Sequence, residues 1–485
     1  MRIESNYPTP VQGVSTLASR NRARGQAGLQ LNMRSDPVKK LTRRPSLKFG
    51  DTLLTTSIPV TIHSYYRRER DIQLIIEDTG AVHGFVNGVQ KAMNGQLDTY
   101  ASGDLALETI NDTTFVVNKN VSTAMIELTD EVSVRKASHL NVTSALNYGE
   151  ELHVSVGGRT VANLDFTFSA TITISPATSQ AVADAERRTN VIAEELAAQL
   201  NVAGAAYGVN TFSKGSGVSI SFGDNSSWLK VEVSAGSGDS SVVAFNEKSE
   251  SIEGLPLYAK AGTRIAIQPD PTSKDGIYYL DAVGLNGELQ ESPLAMEEVV
   301  WTETRSPVEN YKIDAATMPR TIRYDYITDE FTTGTPELGW EDRTKGDNES
   351  VPLPAFIGRP ITALGQFQKR LVLISDNDVE MTVTDNLFNW WKQSAIDLLV
   401  TDPISITSNS TGVDLLQYVV EHNRDLLIVA SNGQFKIDGT QGITPQTVAM
   451  PLTTSQEIQI SVPPVSIGSS IFMPINYGES TGVTE

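Results

Sequence analysis

Between residues 351 and 440, short apolar runs alternate with turn signals, and this alternation limits the possible folds more than any other feature of the chain. The runs are 370–374, 379–383, 426–430 and 434–437, punctuated by Asp376-Asn377-Asp378, Asp402-Pro403 and Asn432-Gly433. Apolar runs of about four to eight residues bounded by such signals read as β-strands, and Asn-Gly between two of them is a strong hairpin signal. No helix-period stripe of similar length interrupts them. The stretch therefore predicts an all-β array of the kind that builds a propeller or a sandwich.

The same grammar recurs upstream. Residues 72–76 form a buried-type run, Asp78-Thr79-Gly80 a turn, Phe85-Val86-Asn87-Gly88-Val89 a tight hairpin, and 114–117 a further strand. Residues 148–250 change character. Leu152, Val154 and Val156 alternate with polar neighbours, as do Leu164, Phe166 and Phe168, which predicts two half-buried strands. Val182, Ala185, Ile192, Ala193, Leu196 and Leu200 then share one face of a helix over about 180–199, opposite Asp184, Arg187, Arg188 and Glu194. Strands at 218–222 and 228–233 follow, and the Gly/Ser stretch 235–241 reads as a loop. Strand, strand, helix, strand, strand describes a small α+β module inserted between β units. A hairpin through Asn286-Gly287 and an acidic, Gly-rich linker over 337–350 lead into the opening stretch. The expected organisation is an arm (1–50), a first part of the β body (51–147), the inserted α+β domain (148–250), β segments and a linker (251–350), and a second part of the β body (351–485).

The charge is unevenly spread. The chain carries 38 Lys and Arg against 58 Asp and Glu, a formal −20. Residues 1–50 hold ten basic and two acidic side chains, leaving 28 basic and 56 acidic in the rest. The arm, with Arg20, Arg22, Arg24, Lys39, Lys40, Arg43 and Arg44, has little apolar periodicity and reads as an extended segment that orders on a partner or a neighbouring subunit. An acidic body is the opposite of a duplex-binding face and reads either as ordinary solubility or as a surface that repels polyanions. The absence of cysteine removes disulfides, thiolate metal sites and Cys nucleophiles. With no apolar stretch following Met1, this points to folding in a reducing cytosol, and no apolar run reaches the roughly 18 residues needed to span a bilayer.

Candidate chemistry is sparse. His63, His83, His139, His153 and His422 are scattered, with no pair at metal-ligand spacing. Asp376, Asp378, Glu380 and Asp385 could bind calcium or act as a glycosidase pair, but turn formation explains them more simply. Lys214-Gly215-Ser216-Gly217 lacks the strand-to-helix setting of a phosphate cradle, and no nucleophile elbow or zincin motif occurs. Trp390 and Trp391 in a strand would face opposite sides, the outward one either a candidate interface anchor or simply exposed while the other packs in the core. No catalytic, cofactor-binding or metal-binding residue is assigned and no cofactor is expected.

The order of several segments resembles the nozzle, or tail tubular protein B, family of T7-like short-tailed bacteriophages. The segments are Gly13-Val14-Ser15, Arg43-Arg44-Pro45, TFVVNKN at 114–120, Ala193-Glu194-Glu195-Leu196-Ala197, Trp301-Thr302-Glu303-Thr304 and Thr317-Met318-Pro319. PAFIGRPITALGQFQKRLVLIS at 354–375, LFNWW at 387–391, DPISI at 402–406 and DLLIVASNGQFKI at 425–437 complete the set. The resemblance implies a virion structural protein and not an enzyme: a homohexameric ring with a propeller-like β body, below a tail adaptor (tail tubular protein A-like) ring. Tail fibres or spikes dock on such an assembly, and double-stranded DNA passes through its lumen without specific binding. Assembly would take place in the host bacterial cytoplasm. It also implies further β structure beyond Glu485, supplied by a second nozzle polypeptide, unless the body closes differently. The competing expectations are a carbohydrate-active or cell-wall-degrading β-propeller enzyme of the virion, and a fibre-like receptor-binding protein.

Overall fold

The computed structural model describes residues 52–128, 137–159, 164–222, 228–235, 241–246, 248–270, 272–273, 276–285, 296–336, 339–408, 415–468, 470–477 and 480–484. Of the first 51 it describes 14–15, 17, 19–23, 26, 33–36 and 40–43. The chain divides into two units, Met1–Ser57 and Ile58–Glu485. In the first, β1 (Met33–Asp36) and β2 (Lys40–Arg43) pair antiparallel, Met33 opposite Arg43 and Asp36 opposite Lys40. The arm is thus not extended throughout. In the sequence, β1 ends at the turn signal Asp36-Pro37, in a stretch poor in apolar residues.

The second unit begins with a four-stranded meander: β3 (Val60–Arg67), β4 (Arg70–Glu77), β5 (Val82–Val86) and β6 (Val89–Gln90). Ile72, Leu74 and Ile76 alternate along β4 and enter one core with Val82 and Val86. The expected turn closes through Gly80, whose amide donates to the Glu77 carbonyl. At φ +92° the backbone of Asp98 occupies the place a Cβ would need, so only glycine fits. Asn87-Gly88 closes the expected tight hairpin with both residues left-handed, at φ 52° and 79°. Next come β7 (Ala92–Asn94), β8 (Leu105–Ile110) and β9 (Thr113–Asn118).

After β9 the chain leaves this part of the body. β10 (Ala137–Val142), β11 (Glu151–Arg159) and β12 (Asp165–Thr173) precede two helices, α1 (Gln180–Glu186) and α2 (Thr189–Gly204). β13 (Val209–Lys214), β14 (Gly217–Phe222), β15 (Trp228–Ala235) and β16 (Val242–Phe245) complete two small sheets, ordered β13-β14-β10-β16 and β12-β11-β15. Ile192, Ala193, Leu196 and Leu200 of α2 are buried in one core with Leu152, Val154, Val156, Phe166 and Phe168. The single expected helix is broken at Arg188, whose backbone is extended (ψ 135°). Arg187 donates to the Leu146 carbonyl and stacks 4.1 Å over Tyr148, which pins the break. The phase of the stripe resets there, so Ala183 is buried while Val182 and Ala185 are exposed. Leu164 precedes β12 and is also exposed. Within 235–241, residues 236–240 lie outside the described residues, as does Asn286-Gly287.

A five-stranded sheet follows in the order β17 (Lys248–Ser249), β19 (Arg264–Ile267), β20 (Tyr278–Gly284), β21 (Met296–Thr304) and β18 (Tyr258–Lys260). The chain then returns through β22 (Arg320–Asp325) and β23 (Glu330–Gly334) to complete the sheet it left at β9, in the order β7-β23-β22-β9-β8. Two meanders come next: β24 (Ala363–Phe367), β25 (Arg370–Ser375), β26 (Asp378–Met381) and β27 (Ile404–Thr407), then β28 (Leu416–His422), β29 (Asp425–Ala430), β30 (Gln434–Ile437) and β31 (Leu452–Thr454). The last sheet joins β32 (Val465–Ile467), β33 (Ser470–Tyr477) and β34 (Ser480–Thr484). Edge strands of these sheets pack side by side: β3 on β8, β8 on β24, β24 on β28 and β28 on β32. The protein is mainly β, with helices confined to the excursion between β9 and β22 and a few short 3-10 turns among the described residues.

The described part of the stretch expected as an acidic linker is packed. Trp340 and Arg343 are buried, and the Arg343 guanidinium donates to Asn348, Glu309 and the carbonyls of Asn310 and Val351. Hydrogen bonds at both terminal nitrogens offset the cost of burying this charged side chain.

Candidate functional site

The carboxylates singled out in the sequence lie on the β25–β26 hairpin and the residues that follow it. Ser375 pairs with Asp378 across a two-residue turn, and Asp376 takes the left-handed position at φ 52°, a conformation Asp tolerates. Asp376 is therefore a turn former. Asp378 and Glu380 are not: both lie in β26 on one face, nearly buried at 8% and 3% exposure. Burial inside a meander has the stronger claim on them than turn chemistry.

Each is held by its cross-strand neighbour on β27. Asp378 faces Thr407, whose hydroxyl donates to it at 2.6 Å, and Glu380 faces Ser405, which donates at 2.6 Å. The Arg359 guanidinium reaches Asp378 at 2.8 Å and Asp376 at 3.4 Å. The Ala355 amide donates to Glu380 at 3.1 Å, so this carboxyl fastens the strand to the segment before β24. Burial pushes the Glu380 carboxyl up to about 7, against smaller opposing effects of the Ser405 and Ala355 hydrogen bonds. Asp385 pairs at the surface with Lys369 at 2.9 Å.

One carboxyl raised beside another paired with arginine is the asymmetry a glycosidase uses. Here, however, protein donors occupy both groups and the strands around them leave almost no surface for a sugar ring. The arrangement ties β26, β27 and the 355–359 segment together. Two neighbours extend it, neither of them apparent in the sequence. Arg370, at the head of the wholly buried β25, donates to the carbonyls of Thr382, Asp402 and Val400. The Asp402 carboxylate, fully buried, accepts from the amides of Gln393 and Leu399. The signal for Arg370 was its place in an unbroken apolar run, which a surface arginine rarely occupies.

Trp390 and Trp391 lie outside any strand, and both are buried, so neither is an outward anchor. Trp391 donates its indole N–H to the Glu341 carbonyl at 2.8 Å, and Trp390 meets Phe356 edge to face at 5.0 Å. The aromatic shapes fill a core with Trp340, Leu371 and Leu373, which outweighs a strand's alternation. The histidines are apart. His63 contacts Thr109, His139 contacts Thr263, and His153 contacts Thr171. His83 lies 3.5 Å from Glu77, and His422 contacts Ser466. Among the described residues, no group of three or more His, Asp or Glu is placed to hold a metal ion. Lys214-Gly215-Ser216-Gly217 is the turn of the β13–β14 hairpin. No helix among the described residues is long and apolar enough to cross a membrane.

Comparison with known proteins adds what the geometry alone does not. A family model described as bacteriophage nozzle protein matches residues 1–485. The chain is also 25% identical over 471 residues to tail tubular protein gp12 of Escherichia phage T7, covering 92% of this chain and 54% of that protein. The chain thus spans about half the length of the curated relative it matches.

Proposed function

The chain belongs to the bacteriophage nozzle protein family, and on that premise we propose that it is a structural subunit of a phage tail nozzle. In this reading six copies form a ring below the tail adaptor ring, assembled in the host cytoplasm, and the ring carries fibres or spikes and encloses a channel for the genome. The observation that carries the proposal is the family match along the whole chain. The charge supports it: a surface rich in carboxylates repels phosphates, so duplex DNA slides past without the salt-dependent adhesion of Lys and Arg contacts. The succession of small sheets with adjacent edge strands supports a propeller-like body. The buried cluster running from Leu140 to Val242 supports reading 148–250 as an insertion into that body. A glycan-cleaving role for Asp376, Asp378 and Glu380 is not favoured, because their oxygens are already engaged by Arg359, Thr407, Ser405 and Ala355.

Mass measurement on the purified protein, alone and with the adaptor protein, tests the proposal. Rings of six 52.6-kDa copies are expected. A stable monomer under both conditions, with no ring in purified tails, sinks it.

A further inference from the structure

The connection from β26 to β27 presents an unusual surface. From Ile396 to Val400 every residue is exposed, with Ile396 at 60% and Val400 at 64%, and four of these five side chains are aliphatic. The loop is not slack. Asp402 accepts the Leu399 amide at 2.9 Å, and Arg370 holds the Val400 carbonyl at 3.2 Å. At the other end, the Glu303 carboxylate accepts from the Ala395 amide and the Ser394 hydroxyl, and that hydroxyl in turn accepts the Ile396 and Asp397 amides. Buried or half-buried polar groups thus fix the backbone while its aliphatic side chains face water. Such preorganisation removes the ordering cost of a contact before the contact is made, and a contiguous exposed apolar patch marks an interaction surface.

We propose that this loop is a contact by which one copy of the chain joins the next, a refinement that rests on the ring reading above. Charge selects this occupant. Each copy carries −20, so two copies repel wherever carboxylates face one another. Residues 392–401 carry only Lys392 and Asp397, which balance, making this a place where like-charged copies can approach without that opposition. The loop offers a nucleic acid no basic cluster to grip.

The chain has no cysteine, so Asp397→Cys places a single thiol within the patch and leaves its four aliphatic side chains intact. A benzophenone maleimide on that thiol, photolysed after assembly in purified tails, is expected to give cross-linked products at multiples of 52.6 kDa. Cross-links only to another tail protein or to host lipid overturn the proposal, as does the absence of self-cross-links in tails where rings are seen. Absence of rings overturns both this contact and the ring reading. As a second measurement, Leu398→Asp combined with Val400→Asp is expected to raise the concentration for half-assembly about tenfold or more. Both side chains are exposed, so thermal unfolding of the isolated chain should be unchanged. Unaltered assembly of this variant contradicts the proposal.

Discussion

Glu380 is the residue at which the physics of the body can be read most directly. Its carboxyl sits at about 7 in the folded protein against an ordinary 4.5, because burial penalises its charge. Between these values the folded state holds a proton that the unfolded chain has lost, so this group's contribution is fully present below about 4.5 and is lost as pH rises through 7. Glu380→Gln keeps an acceptor for Ala355 and Ser405 without the charge. Relative to that variant, the wild type should lose on the order of 3 kcal/mol between pH 4.5 and 8, read by urea unfolding at both ends. A stability difference that does not change with pH contradicts the assignment. Arg343 makes the converse case. Arg343→Met leaves two carbonyls without their donor and Glu309 without its cation, and should cost about 3–5 kcal/mol in the same assay. The sequence displayed the carboxylates of 376–385 but not the burial of Asp378 and Glu380, because an acid in a strand and an acid in a turn look alike until the β27 partner is placed. The adjacent tryptophans are legible in the sequence as core residues or as an anchor, and only the placed aromatic core, with both side chains buried, decides between the two.

At the scale of elements, the turns separate what was legible from what was not. Asn87-Gly88 and Asp78-Thr79-Gly80 announce themselves by composition. Arg68-Glu69, Gln368-Lys369 and Asn423-Arg424 close equally tight hairpins with both residues left-handed, yet none contains glycine. Flanking strand pairing imposes these conformations, so no local signal marks them. Conversely, Asn432-Gly433 joins β29 to β30 without either residue entering the left-handed region. A left-handed conformation costs an ordinary residue about 1 kcal/mol or more, offset in part by glycine's greater freedom in the unfolded chain. Arg424→Gly, which creates the favoured Asn-Gly pair, should therefore raise stability by about 0.5 kcal/mol in denaturant unfolding. Destabilisation would mean that the Arg424 side chain contributes more than its backbone costs. The helices teach a similar lesson. The apolar stripe holds for Ile192, Ala193, Leu196 and Leu200 but not for Val182 and Ala185, because the break at Arg188 depends on Leu146 and Tyr148, far away in sequence.

For the whole molecule, the mainly β character followed from strand grammar alone, while the sheet shared by β9 and β22 did not. Those strands are separated by some two hundred residues, and nothing local joins them. The segment 122–125 makes the same kind of link, bridging to Ile313, Ile357 and Pro360. Function was legible only through the order of many weak segments, because the structural role proposed above needs no catalytic constellation for sequence reading to find. The acidic body and the exposed, fixed loop at 396–400 acquire a common purpose if copies assemble around a polyanion they must not bind. Cryo-electron microscopy of intact virion tails tests this most directly. The account predicts six copies of this chain encircling an axial channel below the adaptor ring; tails in which the chain is absent, or present as isolated copies away from the axis, contradict it.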